Sequence, residues 1–263
     1  MSVISVNDVA LNYREMGSRQ NPTIVFAHAL LWDCEVFDRL MTELADDFYI
    51  IAVDVHGHGR SGYRTTMSLE EMTEDYYRLI TQLDLSQVIW VGFSIGGMLG
   101  MRLAVAHPEI IAGLILIATS ARLDPIPIRE QTWKLWQLFR DGHREDIADP
   151  ALAYFFAQAT YNNQPQLVEQ HRQKLIAYQH VEGMFAAARA VFDRTDISEQ
   201  IAAIKVPTLV LAGKEDPATL PVESEVIALR IPNAQLAILD HASHMLILEK
   251  PEAVTQIIRE FLN

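Results

Sequence analysis

The chain has 263 residues, half of them hydrophobic and 21% charged, with 21 Lys and Arg against 34 Asp and Glu for a formal net charge of −13. This composition excludes a disordered or collagen-like chain, and the acidic field opposes phosphate backbones and anionic membrane surfaces, so neither nucleic acid nor membrane is an expected partner. One cysteine, Cys34, leaves no intrachain disulfide and no cysteine-based zinc site.

Residues 1–17, MSVISVNDVALNYREMG, lack the basic and apolar regions of a secretory leader. No apolar run approaches the roughly 18 residues of a membrane span. The expectation is a cytoplasmic, single-domain protein with a large core. Residues 3–6 and 9–16 alternate around Asn7-Asp8 and predict an antiparallel hairpin. TIVFAH (23–28) reads as a strand buried on both faces, residues 35–45 as a helix with Val36, Phe37, Leu40, Met41 and Leu44 on one side, and YIIAVD (49–54) as another buried strand.

The alternation continues with a helix over 69–83, a strand at QVIWVGF (87–93), a helix over 96–106 stopped near Pro108, and a strand at GLILIAT (113–119). Apolar strands separated by helices predict a mostly parallel sheet covered on both faces. From 123 to 204 no strand-like run occurs, only helical patterns rich in aromatics such as Trp133, Trp136, Phe139 and Tyr154 to Phe156. Strand, helix, strand and helix then follow at PTLVLAG (207–213), 221–230, AQLAILD (234–240) and 252–262. The expected organisation is a core of residues 1–122 and 205–263 with a helical lid, 123–204, over the carboxyl edge of the sheet, where open α/β sheets bind ligands.

WVGFSIGGM (90–98) contains Gly92-Phe93-Ser94-Ile95-Gly96, a G-x-S-x-G pattern between an expected strand and an expected helix. A serine hydroxyl is a poor nucleophile near neutral pH and needs a base and a carboxylate to orient it. LAGKEDPAT places Asp216 just past one later strand, and LDHASHMLILEKPE places His244 just past the next. His241 competes with His244, and the spacings of His241/His244 and His56/His58 raise a metal site. No HExxH helix accompanies them and both pairs fall in expected loops, so no metal or other cofactor is expected.

FAHALLWD, VDVHGHGRSG, VGFSIGGM, VLAGKEDPAT and ASHMLILEKPE together resemble the α/β-hydrolase superfamily along nearly the whole chain. The wording of GHGRSG, SIGGM and GKEDPAT is closest in look to the 3-oxoadipate enol-lactonase and carboxylesterase group. The resemblance implies the α/β-hydrolase fold, a mostly parallel eight-stranded sheet with helices on both faces and an inserted helical lid. It also implies Ser94 as nucleophile, Asp216 as acid and His244 as base, with the backbone N–H groups of Leu30 and Ile95 as the oxyanion hole. A serine at the elbow argues against the dehalogenases and epoxide hydrolases of that superfamily, which use a carboxylate nucleophile.

Two positions depart from the pattern. Ala29 stands where glycine usually follows the histidine of "HG", which puts the geometry of the oxyanion loop in question, and Ser243 stands where glycine commonly precedes the catalytic histidine. His28 is expected to hydrogen-bond within the oxyanion loop, Asp54, His56, Gly57, Gly59 and Ser61 to stiffen the loop behind the site, and Cys34 to be a half-buried small hydrophobe and not a reactive thiol. The expected partner is a small ester or lactone, cleaved through an acyl-enzyme. A carbon–carbon bond hydrolase of meta-cleavage products and a ligand-binding receptor retaining the triad are the alternatives. Sequence leaves the oligomeric state, the natural substrate and its chain length open.

Overall fold

The computed structural model describes residues 1–263. Strands β1 (Ser2–Val6) and β2 (Val9–Met16) form the expected hairpin, with Asn7 in the left-handed region at φ 51°, which asparagine tolerates better than most residues. β3 (Thr23–Ala27), β4 (Tyr49–Val53), β5 (Val88–Phe93), β6 (Ile111–Ile117), β7 (Thr208–Gly213) and β8 (Gln235–Leu239) complete one eight-stranded sheet in the order β1-β2-β4-β3-β5-β6-β7-β8. β2 is antiparallel to β1 and β4, and every other pairing is parallel. β4 and β7 are buried at every residue, as strands covered on both faces must be, and this is why they read as unbroken apolar runs.

Helices cover both faces. α2 (Leu69–Gln82), α3 (Ile95–Ala106) and α9 (Pro221–Arg230) enclose a core with Val25, Trp90, Leu116 and Val210, while α1 (Asp38–Leu44), α10 (Leu246–Glu249) and α11 (Pro251–Leu262) enclose the other with Phe26, Val91, Phe93 and Leu211. Neighbouring residues such as Val25 and Phe26 point to opposite cores, as the two-residue period of a strand requires. The start of α2 is fixed by a capping box in which the Ser68 hydroxyl accepts the Glu71 N–H and the Glu71 carboxylate accepts the Ser68 N–H.

One predicted helix is broken in the structure. Residues 35–45 form a 3₁₀ turn, Cys34–Phe37, followed by α1. The Asp33 carboxylate accepts the Glu35 N–H at 3.0 Å, and the Val36 N–H bonds back only three residues to Asp33 at 3.2 Å. That local competition tightens the first turn, and Phe37, at φ −97° and ψ 2°, is the pivot into α1.

Between β6 and β7 lie α4 (Ile126–Arg140), α5 (Arg144–Phe155), α6 (Gln158–Asn163), α7 (Pro165–Ile176) and α8 (Val181–Phe192), with no strand among them. After α8 the chain returns to the sheet, where Ile197, Ile201 and Ile204 are buried against α3. No helix is long and apolar enough to cross a membrane.

Candidate active site

The parallel strands β3, β5, β7 and β8 all end on one edge of the sheet, and Leu30, Ser94, Asp216 and His244 follow those four ends in turn. Ser94 sits between β5 and α3 at φ 54° and ψ −113°, a conformation neither strand nor helix uses. Such backbone costs on the order of 1–3 kcal/mol and persists only where its surroundings hold it. Here the Ser94 N–H donates to the Ile117 carbonyl at the end of β6 (2.9 Å). The Ser94 carbonyl accepts the N–H groups of Gly97 (2.9 Å) and Met98 (3.1 Å) and the Thr119 hydroxyl (2.7 Å). The flanking glycines answer to crowding, since both have φ outside the left-handed region. A Cβ on Gly92 would meet the Gly96 carbonyl, and one on Gly96 would meet the Ala27 carbonyl of β3.

The two backbone N–H groups expected to form the oxyanion hole, those of Ile95 and Leu30, follow the adjacent strands β5 and β3. Ile95 is the first residue of α3, so its N–H lies ahead of the helical ladder, whose first bonds to Ser94 come from Gly97 and Met98. Leu30 lies in a tight turn closed by the Trp32 N–H to the Ala29 carbonyl at 3.3 Å, with Leu31 at φ 73°. A positive φ at the third residue of a turn is normally given to glycine. The strain of this loop therefore sits at Leu31. Ala29 is buried without a positive φ, and Ser243 likewise, so neither departure from the family pattern forces its own backbone into the left-handed region.

Asp216 and His244 are joined. The imidazole Nδ1 lies 2.9 Å from Asp216 Oδ2, and both side chains are nearly inaccessible. The carboxylate is itself held by the N–H groups of Ala218 (2.8 Å) and Thr219 (2.9 Å) on Oδ1 and by the Thr219 hydroxyl on Oδ2 (2.7 Å). A carboxylate that accepts at Nδ1 leaves the proton there and the lone pair on Nε2. The hydrogen bonds of the imidazole run to Asp216 and Thr219, and none reaches the Ser94 hydroxyl. Phe93, the residue before Ser94, has its ring 5.2 Å from the imidazole centroid, which brings His244 beside the elbow. His241 instead stands in solvent, its Nδ1 3.5 Å from a Glu215 carboxylate oxygen.

The loop behind the site is a buried polar network. Asp54 accepts from the Asn12 side chain (2.8 Å) and from the N–H groups of Cys34 and Arg60 (both 2.9 Å). His28 accepts the Val55 N–H on Nε2 at 2.8 Å, which leaves Nδ1 to donate to the Ala29 carbonyl at 2.7 Å. Both nitrogens are thus engaged, and burial lowers its pKa. Burial also lowers His56 despite the Asp75 carboxylate at 2.9 Å, and pushes His58 down to about 3. Burial opposes ionisation of Asp75, yet donors from His56, Arg64 and Asn7 outweigh it and hold that carboxyl at about 2. Cys34 is buried, and burial pushes its thiol well above the ordinary range, the opposite of what a reactive cysteine needs.

A cavity of about 340 Å³ opens between the loop after β3 and the helices that follow β6, lined by Leu31, Trp32, Leu152, Phe155, Leu167 and Leu248 among others. Phe155 connects it to the histidine, with ring centroids 5.9 Å apart. Of the aromatics in residues 123–204, Trp133 packs against Phe185 (4.6 Å) and Phe192 (5.0 Å), within the helical segment. Sequence reasoning passed over Trp32 and Thr219, and it weighed Phe155, within the Tyr154 to Phe156 cluster, as pocket lining but left it out as helix core. Thr219 carried a signal, three residues beyond Asp216 in the same polar run, and Phe155 carried one in its aromatic cluster, whereas nothing in the sequence pairs Trp32 with Phe155, which meet at 4.9 Å across more than 120 residues.

Residues 22–251 match the family model described as the alpha/beta hydrolase fold. Among curated relatives, 3-oxoadipate enol-lactonase 2 of Acinetobacter baylyi is 28% identical over 261 residues, covering 97% of this chain and 94% of that protein. A thermophilic esterase of Thermogutta terrifontis, solved with malate bound, superposes with a TM-score of 0.90 at 29% identity, covering 99% of this chain and 97% of its own. The enol-lactonase of Burkholderia xenovorans gives a TM-score of 0.90 at 26% identity and 99% coverage of both chains.

Proposed function

Because this chain belongs to the alpha/beta hydrolase fold family, we propose that it is a serine hydrolase cleaving a small carboxylic ester or lactone through an acyl-enzyme. The observation that carries this reading is the Asp216–His244 pair, 2.9 Å apart, on the same sheet edge as the strained Ser94 elbow. Its relatives named as enol-lactonases and esterases support the bond type.

In this reading His244 Nε2 takes the Ser94 proton as the hydroxyl oxygen attacks the carbonyl carbon. Catalytic hydrogen bonds commonly run long before substrate binds and shorten in the complex, and the serine–imidazole link is one of these. The oxyanion forms at the N–H groups of Leu30 and Ile95, where each donor is worth about 3–4 kcal/mol. His244 passes the proton to the leaving alkoxide, then draws one from the water that releases the acyl group, and Asp216 keeps the imidazole in the required tautomer. For a lactone the leaving alkoxide stays on the acyl chain, so one product departs. Helices α4–α8 act as the lid, and the cavity they share with Trp32 and Leu31 takes the apolar part of the substrate.

Hydrolysis of 4-nitrophenyl acetate by the purified protein and by Ser94→Ala tests the reading. The variant is expected to lose on the order of 10⁶-fold in kcat, as triad serines do. Turnover at the unsubstituted rate would overturn it. A panel of neutral esters and lactones of graded acyl length, run alongside, locates the preferred substrate.

A further inference from the structure

Glu249 is a buried carboxylate for which the proposed reaction has no use. It ends α10, five residues beyond His244, and is 3% exposed. Its Oε2 accepts the Ser243 N–H at 2.7 Å, and its Oε1 accepts the Ala157 N–H and the Thr160 hydroxyl, each at 2.7 Å. Ala157 immediately precedes α6 and Thr160 lies in its first turn, while Ser243 immediately precedes His244. Two further bonds close the same seam. The Met245 N–H donates to the Phe155 carbonyl at 2.9 Å, and the Gln164 side-chain amide donates to the Glu249 carbonyl at 3.3 Å. The backbone is therefore pinned on each side of His244, at residue 243 by the Glu249 carboxylate and at residue 245 by the Phe155 carbonyl.

We propose that Glu249 is a positioning residue that ties the His244 loop to helices α5 and α6, so that the imidazole holds its working place only while residues 155–160 are docked. This rests on the reading of Ser94 and His244 given above. A simpler structural brace would require only some acceptor at this point. The geometry requires more, since three donors converge on two oxygens and two of those donors are backbone N–H groups on opposite sides of the carboxyl. A glutamine can turn its oxygen to Ser243 or to Ala157, and in either orientation its NH₂ meets the other N–H donor to donor. An aspartate is one methylene short. Burial raises the Glu249 carboxyl above its ordinary value, with Asp216 nearby adding to the rise, while the donors from Thr160, Ala157 and Ser243 act in the opposite direction. A site that accepts this cost to keep a carboxylate gains an anchor no neutral side chain supplies.

The test is steady-state hydrolysis of 4-nitrophenyl acetate from pH 5 to 9 by the unsubstituted protein, Glu249→Gln and Thr160→Val, with fluorophosphonate labelling of Ser94 in each. Labelling and turnover by the unsubstituted protein come first, and their failure would remove the reading of Ser94 rather than that of Glu249. Glu249→Gln is expected to lower kcat about 10- to 100-fold, the scale of a small misplacement at a reacting centre, with KM within about twofold and the acid limb of kcat/KM displaced. A folded Glu249→Gln with unchanged kcat and pH limb, or with a loss confined to KM, would overturn the proposal. Should Glu249→Gln fail to fold, Thr160→Val carries the test. It removes one donor with little change of shape, and kcat is expected to fall about threefold at unchanged KM. Unchanged kcat in that variant would overturn the proposal as well.

Discussion

One face of the sheet buries 38 residues in a continuous core and the other 27, whereas the core that helices α4–α8 make among themselves contains six, among them Phe139, Leu175 and Met184. The outer seam of that helical segment is held differently. Trp133 packs between Phe185 and Phe192, and Arg129, Arg140 and Arg189 lie over these rings. Hydrophobic burial is non-directional and grows with area, so the sheet is a single rigid frame. The helical segment also lends Ala186, Ala187 and Ala190 to one sheet core and Leu152, Phe156 and Val168 to the other, so it is fastened by its own six-residue core, these residues seated on the sheet and half-buried stacks. That is less burial than the sheet's own, and the segment has less to lose on opening. The proposed reacting groups stand on the frame, and the proposed lid covers them.

This contrast predicts that chemistry is broken at the sheet edge with little loss of fold. Asp216→Asn keeps an acceptor for the Ala218 and Thr219 N–H groups but presents an amide to His244, which selects the wrong tautomer. It is expected to lower kcat by about 10⁴, equivalent to about 5.5 kcal/mol of barrier, while thermal unfolding followed by circular dichroism stays close to that of the unsubstituted protein. A folded Asp216→Asn with unaltered turnover would detach the reaction from this edge.

Packing deletions sharpen the comparison further. Leu116→Ala, fully buried near the carboxyl end of β6, is expected to cost about 2–5 kcal/mol of global stability in urea. Met184→Ala, also fully buried but in the helical segment, is expected to cost less in the global transition and to show itself as faster proteolysis within residues 123–192. Equal shifts of one cooperative transition would mean that frame and lid unfold together, which would dissolve the distinction.

The same division governs how much of the molecule could be read in advance. The frame was legible because its signals are local and periodic. β5, the Ser94 elbow and α3 stand together in one stretch as an apolar run, spaced glycines and a helical pattern, and α9 begins and ends where Pro221 and the following pattern put it. The meeting of Asp216 with His244 was legible because each comes shortly after a strand end, three residues past β7 and five past β8. The first turn near Cys34 was misread because Asp33 competes with the helix through a side-chain acceptor, which an apolar pattern does not register. Ala29 drew attention as a departure from the pattern, yet the left-handed residue of that loop is Leu31, and nothing in a leucine signals a positive φ. Glu249 bonds to Ala157 and Thr160 across 92 and 89 residues, and such pairings depend on how the helices dock on the sheet. No period in the chain encodes that docking.

The smallest expected effect probes the outer seam of the lid. The Arg189 guanidinium lies 5.1 Å from the Trp133 ring centroid and 5.3 Å from that of Phe192, and it also pairs with Asp193 on the surface. Exposed cation–π contacts contribute about 0.5–1 kcal/mol, and an exposed ion pair contributes at most about the same. Arg189→Ala is therefore expected to destabilise by about 1 kcal/mol, read as a shift of the urea midpoint. Salt separates the two sources. An exposed ion pair is screened in about 1 M salt, so a loss that disappears there belongs to Asp193, whereas the packing of a planar guanidinium on the indole survives. Arg189→Lys keeps the charge and loses the plane, and is expected to recover less than half of the effect. A loss that persists in salt would establish that the outer seam of the proposed lid is held by a surface guanidinium stacked on half-buried rings, a fastening that separates with less desolvation than a core contact.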